Sequence, residues 1–237
     1  MRSVEETFEN AWIYSGLELV YVPVPKSAST TTKTYLNALS GIKSEEGRSV
    51  HRRKVRGIQM LADLSALQFA KTVLLPSSKY TVFSIVRHPV QRFVSAYRSK
   101  ILELDGAEVM SKQNTTTQWG ARDIVLGVAH LRGVAPQDVS QITLEEFFKL
   151  VQDKPLGSAN RHWRSQSHLL SQRVLPYDHV FRLEDIKSGA CDLAGILGLE
   201  QPFPRSDRTP APIEVSAEIQ TGLETLYAKD FRSFGYS

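Results

Sequence analysis

A stretch that runs from Tyr80 to Lys100, YTVFSIVRHPVQRFVSAYRSK, decides the fold. Its first part, Tyr80–Val86, is crowded with β-branched and aromatic residues, which favour a buried strand. Pro89 suits the first position of a helix, where its fixed φ angle helps and its missing N–H does no harm. A strand that leads at once into a helix is typical of an α/β fold.

Similar elements occur on both sides of this stretch. Leu17–Val24 predicts another buried strand, and Thr31–Leu39 predicts the helix that follows it. Later in the chain, His179–Leu183 predicts a strand, and a last helix is expected from Ser216 to about Lys229. Alternating strands and helices predict an α/β fold with a P-loop-like, mainly parallel sheet flanked by helices. The length of the chain, residues 1–237, fits a single domain.

Three other segments carry local signals. Leu104–Gly120 is polar and predicts a long loop. Thr143-Leu-Glu-Glu146 is a capping box that opens a helix, and Glu184-Asp185 should open another that closes near Gly198. An amphipathic helix over Gly57–Ala70 is predicted by apolar residues at helical spacing: Ile58, Leu61, Leu64 and Leu67.

The charge of the chain is modest. A net charge of +4 and a pI of about 9.1 suit an anionic ligand but do not require one. The densest basic run is His51–Arg56, HRRKVR, which has no interleaved aromatic residues and no nucleic-acid-binding motif around it. We therefore expect a solvated basic face and no nucleic-acid partner.

The single cysteine, Cys191, excludes an intrachain disulfide and a thiol cluster for zinc. This favours a reducing, cytoplasmic location. The sequence also has no run of about 20 apolar residues that would predict a transmembrane segment. A Golgi-lumen location is expected only if the sequence is the catalytic part of a longer, anchored chain.

The segment Pro25–Lys33, PKSASTTTK, places lysine and hydroxyl residues where a predicted strand gives way to a helix. The amides at a helix start have no partner within the helix, and the helix dipole there favours negative charge. We call this the 25–33 segment and interpret it as a phosphate site. A capped helix with a surface lysine is the alternative interpretation. A Walker loop fits less well, because its glycines are missing.

The segment Arg87–Lys100, which we call the 87–100 segment, begins at the C-terminal end of the strongest predicted strand. Ligands of open α/β sheets bind at such ends. Arg87 can offer a planar fork to a phosphate, and Arg92 and Ser95 share a helix face. An ordinary amphipathic helix is the alternative interpretation. Together the two segments suit a nucleotide that has phosphates at two separate positions.

Both segments resemble motifs of the carbohydrate sulfotransferases of the chondroitin, dermatan and HNK type, sulfotransferase family 2. The 25–33 segment resembles their 5′-phosphosulfate loop. The 87–100 segment resembles their 3′-phosphate motif, Arg-x-Pro-x-x-Arg-x-x-Ser-x-Tyr-Arg-x-Lys, at every specified position. Arg161–Gln166 resembles their His-Trp-x-Pro-Gln segment, with Ser165 in place of proline. The segments 181–185 and 226–236 are also similar. The luminal members carry several cysteines and an anchor, whereas this sequence has one cysteine and no predicted transmembrane segment. We therefore expect a soluble, bacterial-type relative.

The resemblance implies the donor 3′-phosphoadenosine 5′-phosphosulfate (PAPS), no metal, and transfer of the sulfo group to a hydroxyl, on a carbohydrate by family likeness. Arg87 and Ser95 are then expected to bind the 3′-phosphate. Lys26 would meet the 5′-phosphosulfate and the charge that grows on the leaving oxygen. The other residues expected at the 5′-phosphosulfate are Ser27, Ala28, Ser29, Thr30 and Thr31.

The base that takes the acceptor proton is expected to be a histidine or a carboxylate, with His51 as the first choice and His162 as the second. His51 lies between the two segments, where related sulfotransferases place a histidine, and His162 lies in the segment similar to His-Trp-x-Pro-Gln. Two other functions stay open at this point. The first is a P-loop-type kinase, which would use ATP and magnesium. The second is a non-catalytic module that binds a phosphonucleotide or polyanion, for which the His51–Arg56 run is the best feature.

Overall fold

The computed structural model describes Thr7 and residues 10–42, 59–60, 64–75, 78–111, 120–153, 156–204 and 211–237. Its residues form two compact units, each made of two stretches of chain. One comprises Met1–His88 and Gln166–Pro210, and we call it the sheet unit. The other comprises Pro89–Ser165 and Ala211–Ser237, and we call it the helical unit. The expected single domain over residues 1–237 stays a prediction.

The sheet unit contains a five-stranded sheet in its described residues. The order across the sheet is β3-β1-β2-β4-β5. The three longest strands, β2, β4 and β5, are parallel, and β1 runs antiparallel to both β2 and β3. The predicted α/β class with a mainly parallel sheet is confirmed. The strands are β1 Trp12–Tyr14, β2 Leu19–Val22, β3 Gln59–Met60, β4 Thr81–Val86 and β5 His179–Arg182.

The helices lie between and after these strands along the chain. They are α1 Ser29–Leu39, α2 Ala66–Phe69, α3 Pro89–Lys100, α4 Gly106–Ser111, α5 Ala121–Arg132, α6 Leu144–Gln152, α7 Gln166–Leu170, α8 Leu183–Ser188, α9 Leu193–Ile196, α10 Ala217–Leu226 and α11 Ala228–Phe234. A π-helix, Ala70–Leu74, continues α2, and short 3₁₀ turns lie at Pro136–Asp138 and Leu156–Ser158.

The core of the sheet unit is formed by strand side chains and by residues of α1, α8 and α9. All four residues of β2 are buried, as expected for a strand covered on both faces. Aromatic rings connect neighbouring strands: Tyr21 stacks on Phe83 with centroids 5.0 Å apart, and Phe83 meets Phe181 edge to face at 6.1 Å. This packing fixes the strand ends that carry the candidate site.

The helical unit has its own aromatic core. Phe93 of α3 stacks on Phe147 of α6 with centroids 4.7 Å apart, and Phe147 meets Trp163 edge to face at 5.3 Å. The predicted capping box is confirmed, because the Glu146 amide donates to Thr143 Oγ1 and the Thr143 amide donates to Glu146 Oε2. Helix α6 therefore begins where the sequence predicts.

The prediction of a helix over Gly57–Ala70 is wrong at Gln59 and Met60, whereas residues 57–58 and 61–63 lie outside the described residues. Gln59 and Met60 form β3, which pairs with Trp12 and Ile13, and helix α2 begins only at Ala66. Pairing with β1 gives Gln59 and Met60 backbone partners in the sheet, so sheet contacts override the helical spacing at these two residues.

The predicted loop Leu104–Gly120 is also partly wrong, because Gly106–Ser111 is helix α4, while residues 112–119 lie outside the described residues. Gly106 fits closely against the turn after α5: a Cβ atom there would lie 2.2 Å from the Pro136 carbonyl oxygen. The predicted helix from Glu184 to Gly198 is two helices, because Gly189 adopts φ +82° and ends α8.

Candidate functional site

The 25–33 segment forms a turn after β2 and then the start of α1, which begins at Ser29, two residues before the predicted position. Lys26 and Ala28 have left-handed φ angles of +70° and +56°. Each such angle costs a non-glycine residue about 1 kcal/mol or more. Ala28 occupies the cap position of α1, where its methyl group cannot accept a hydrogen bond. The dipole at the start of a helix favours negative charge, which suits an anion at this position.

The side chains of this segment differ in exposure. Lys26, Ala28, Ser29 and Thr31 are half-buried and Thr30 is exposed. Ser27 is fully buried, and its hydroxyl lies 3.4 Å from Gln166 Oε1. The Ser27 hydroxyl is thus engaged within the protein, and its expected contact with the donor stays a prediction.

The lysine that closes the segment, Lys33, has a packing role. It is only 6% exposed, and its Nζ atom lies 4.0 Å from the centre of the Trp12 ring. This cation–π contact attaches α1 to β1.

Arg87 directly follows β4, as the sequence predicts. Its backbone amide donates to Gln166 Oε1 at 2.9 Å, and its carbonyl oxygen accepts from Gln166 Nε2 at 2.7 Å. Its guanidinium Nη1 donates to the Lys26 carbonyl oxygen at 3.3 Å. The start of the 87–100 segment therefore lies beside the turn of the 25–33 segment, within the sheet unit.

Ser95 lies half-buried on α3 of the helical unit. Its expected partnership with Arg87 at one phosphate stays a prediction. Ser95 shares α3 with Arg92, whose side chain is almost fully buried.

Arg92 braces the backbone around His162. Its Nη1 donates to the Arg164 carbonyl oxygen at 2.7 Å, and its Nη2 donates to the Arg161 carbonyl oxygen at 2.8 Å. The sequence analysis paired this arginine with Ser95 on a helix face and missed these contacts, which involve backbone atoms some 70 residues away in sequence.

His162 is half-buried and held by its neighbour Asn160. The His162 backbone amide donates to Asn160 Oδ1 at 3.1 Å, and ring atom Nδ1 lies 2.7 Å from the same oxygen. Since Oδ1 accepts, the proton of a neutral ring is assigned to Nδ1, and the lone pair then lies on Nε2. In this tautomer Nε2 can accept a proton, and the role of His162 as the base stays a prediction. His51 and the rest of the His51–Arg56 run lie outside the described residues.

Trp163 belongs to the core. Its side chain is 1% exposed, and its carbonyl oxygen accepts a hydrogen bond from the Tyr227 hydroxyl. Burial raises the pKa of Tyr227, so this hydroxyl stays protonated and remains a donor. The backbone on both sides of His162 is therefore fixed by buried donors, Arg92 and Tyr227.

A cavity of about 730 Å³ opens in the helical unit, next to Tyr97 and the start of α6. Its lining includes four carboxylates, and a site with this charge would repel phosphate and sulfate. It is therefore a poor candidate for the donor site. The carboxylates are Glu103, Asp105, Glu145 and Glu214.

Two further searches cover only the part of the chain that the structure describes. No group of three or more His, Cys, Asp or Glu residues is arranged to hold a metal ion there. Among the described helices, none has the length and apolar character needed to cross a bilayer.

Several known proteins are similar in sequence to this chain. Carbohydrate sulfotransferase 11 of Mus musculus is 28% identical over 93% of this chain and 65% of its own length. Carbohydrate sulfotransferase 14 of Danio rerio is 25% identical over 92% of this chain and 59% of its own length. Carbohydrate sulfotransferase 12 of Mus musculus is 30% identical over 67% of this chain and 40% of its own length.

The chain thus spans less than two thirds of the length of each of these relatives. No solved structure matches it significantly. The sequence model of the sulfotransferase family matches residues 10–237, which run through both units. The chain therefore belongs to the sulfotransferase family.

Proposed function

We propose that this protein transfers a sulfo group from PAPS to a hydroxyl of a carbohydrate. The observation that carries the proposal is the contact between the Arg87 guanidinium and the Lys26 carbonyl oxygen, at 3.3 Å. It brings together two cationic segments, each suited to one phosphate of the donor. Family membership and the names of the similar proteins support the same reaction and favour a carbohydrate acceptor.

In the proposed site, the turn of the 25–33 segment and the first turn of α1 hold the 5′-phosphosulfate. The amides of Ala28 to Thr31, with nearby hydroxyls, act as donors, and Lys26 stabilises the negative charge that grows on the leaving oxygen. Arg87 and Ser95 hold the 3′-phosphate. Donors that are held in place before the reaction stabilise the developing charge without reorganisation, which is the role proposed for these groups.

The acceptor hydroxyl must lose its proton as it attacks sulfur in line with the leaving group. His162 is favoured as the base, because Asn160 holds the ring with its lone pair on Nε2. His51 is the other candidate, because it lies between the 25–33 and 87–100 segments in the sequence. The cytoplasmic location expected from the single cysteine stays a prediction.

The proposal is tested first by ligand binding. Calorimetry should show adenosine 3′,5′-bisphosphate binding about 10 to 100 times more tightly than ADP, since hydrogen bonds to a charged group contribute about 1.5–3 kcal/mol. ADP carries both phosphates on the 5′ side and cannot reach Arg87 and Ser95 in the same way. Equal affinities would contradict the proposed donor.

The second test concerns turnover. With labelled PAPS, the protein should sulfate a desulfated glycosaminoglycan but not a phenol or a tyrosine peptide. Preference for the phenol or the peptide would still support PAPS as the donor but would contradict a carbohydrate acceptor. If no acceptor class is sulfated although the bisphosphate binds, the non-catalytic binding module becomes the better interpretation.

A further inference from the structure

Gln166 is the first residue of α7, and its side chain is fully buried. Its amide oxygen accepts from the Arg87 backbone amide at 2.9 Å, and its Nε2 donates to the Arg87 carbonyl oxygen at 2.7 Å. The Ser27 hydroxyl lies 3.4 Å from the same amide oxygen. One side chain therefore contacts the 25–33 segment and the first residue of the 87–100 segment.

The sheet itself does not fix these two segments against each other. The last paired residues of β2 and β4 are Val22 and Ser84, so the ladder between them ends before the 25–33 segment begins. On its other side, β4 stays paired with β5 up to Val86 and Arg182. Arg87 lies one residue further on. There Gln166 bonds both backbone groups of Arg87 as a neighbouring strand would.

We propose that Gln166 is a positioning residue, which sets the distance between the turn at Lys26 and Ser27 and the phosphate-binding Arg87. This inference rests on the proposed function, in which the two segments bind different phosphates of one donor. When two sites are held at the distance that separates two groups of a ligand, the second group binds as an intramolecular event. Gln166 then affects the additional affinity that a ligand gains by carrying both phosphates, rather than the affinity for either phosphate alone.

The test compares adenosine 3′,5′-bisphosphate with adenosine 5′-monophosphate. Gln166→Met keeps the length of the side chain but removes its hydrogen bonds to Arg87 and Ser27. The matched control is Ser84→Ala, which removes a buried hydrogen bond from Ser84 Oγ to the Val22 carbonyl oxygen, 2.7 Å long, between the same two strands. The ladder also holds the strands at that point, so their spacing should persist.

We expect the wild-type protein to bind the bisphosphate far more tightly than the monophosphate. In Gln166→Met this ratio should fall about tenfold, with little change for the monophosphate, whereas Ser84→Ala should keep the wild-type ratio. Because both ligands titrate the same folded molecules, general destabilisation would leave the ratio unchanged. Gln166→Asn, which is one methylene shorter, is the second variant should the methionine protein fail to fold, and it should show the same fall.

The outcomes separate two failures. A wild-type protein without preference for the bisphosphate would overturn the proposed donor and this inference together. A preference that persists in the Gln166 variants would leave the donor in place and overturn the role of Gln166. A fall of the same size in Ser84→Ala would also overturn it, since any loss of a buried hydrogen bond would then suffice.

Discussion

Lys26 combines a charge with a backbone angle that a lysine rarely adopts. Its φ angle of +70° lies in the left-handed region that favours glycine, so the surrounding turn must compensate for the strain. The guanidinium of Arg87, which donates to the Lys26 carbonyl oxygen, is one such contact. Strain of this kind is common where a residue must be aimed at a ligand.

We expect Lys26→Ala to lower kcat about 100- to 1000-fold, because a preorganised stabiliser of the leaving oxygen is lost. The affinity for adenosine 3′,5′-bisphosphate should fall less, since the charge on the leaving oxygen is greatest in the transition state. Steady-state kinetics and calorimetry measure the two effects.

The matched control for Lys26 is Lys79→Ala in the same unit. Lys79 is exposed and forms a surface ion pair with Glu18 at 2.9 Å, so its removal should leave kcat and affinity unchanged. If Lys26→Ala behaves like this control, Lys26 has no catalytic role.

Asn160 is expected to act through His162. Asn160→Leu removes the oxygen that holds Nδ1, which should lower kcat about tenfold or more and leave the affinity for the bisphosphate unchanged. Asn160→Asp keeps an acceptor at that position and should restore most of the turnover. His162→Ala should cause the larger loss, about 100-fold or more. Unchanged kcat in both the Leu and the Ala variants would move the base to His51.

At the scale of single residues, the sequence predicts which side chains have the chemistry that a site needs. It does not predict which backbone groups those side chains contact. The predicted position of Arg87 directly after a strong strand is confirmed, because β4 ends at Val86. The contacts of Arg92 and Gln166 could not be predicted, because their partners are backbone groups of residues 69 to 79 positions away. A backbone carbonyl has no identity in the sequence, so only the fold reveals such a contact.

At the scale of elements, local signals succeeded where they were strong and self-contained. Three elements lie close to their predicted positions: strand β4 at Thr81–Val86, helix α3 at Pro89–Lys100 and the capping box at Thr143. The failures occur where tertiary contacts decide. Gln59–Met60 became a strand by pairing with β1, and the polar segment after Leu104 became helix α4, whose first residue packs against the Pro136 turn.

Arg92 connects two elements of the helical unit, α3 and the segment 161–164. We expect Arg92→Met to lower the free energy of unfolding by about 2–4 kcal/mol, because the carbonyl groups of Arg164, which is buried, and of Arg161, which is half-buried, lose their donor. Urea unfolding measures the change. The control is Lys100→Met on the same helix. Because Lys100 is exposed, this substitution should change the free energy of unfolding by less than about 0.5 kcal/mol.

A second measurement separates this brace from a phosphate ligand. If Arg92 served only the backbone, bisphosphate affinity per folded molecule should change little in Arg92→Met at low urea. A large loss of affinity with little loss of stability would instead make Arg92 a donor-binding residue.

At the scale of the whole molecule, each unit is built from two separate stretches of chain, and the family match runs through both. The 87–100 segment crosses from one unit to the other after His88, which means that a single sequence motif supplies residues to both. Such a motif is informative about the family, because its residues must pack in two cores. In the proposed reaction it carries less information on the acceptor, which surface loops would select.

The last prediction separates sulfo transfer from phosphoryl transfer. Phosphoryl transfer from ATP requires Mg²⁺ between the phosphates, so a kinase loses its turnover when a chelator removes the metal. In the proposed reaction, Lys26 and the amides of α1 supply the positive charge at the leaving oxygen. Turnover of labelled PAPS with a carbohydrate acceptor should therefore persist in excess EDTA, and labelled ATP should not be consumed with or without Mg²⁺. Magnesium-dependent consumption of ATP together with inert PAPS would favour the kinase.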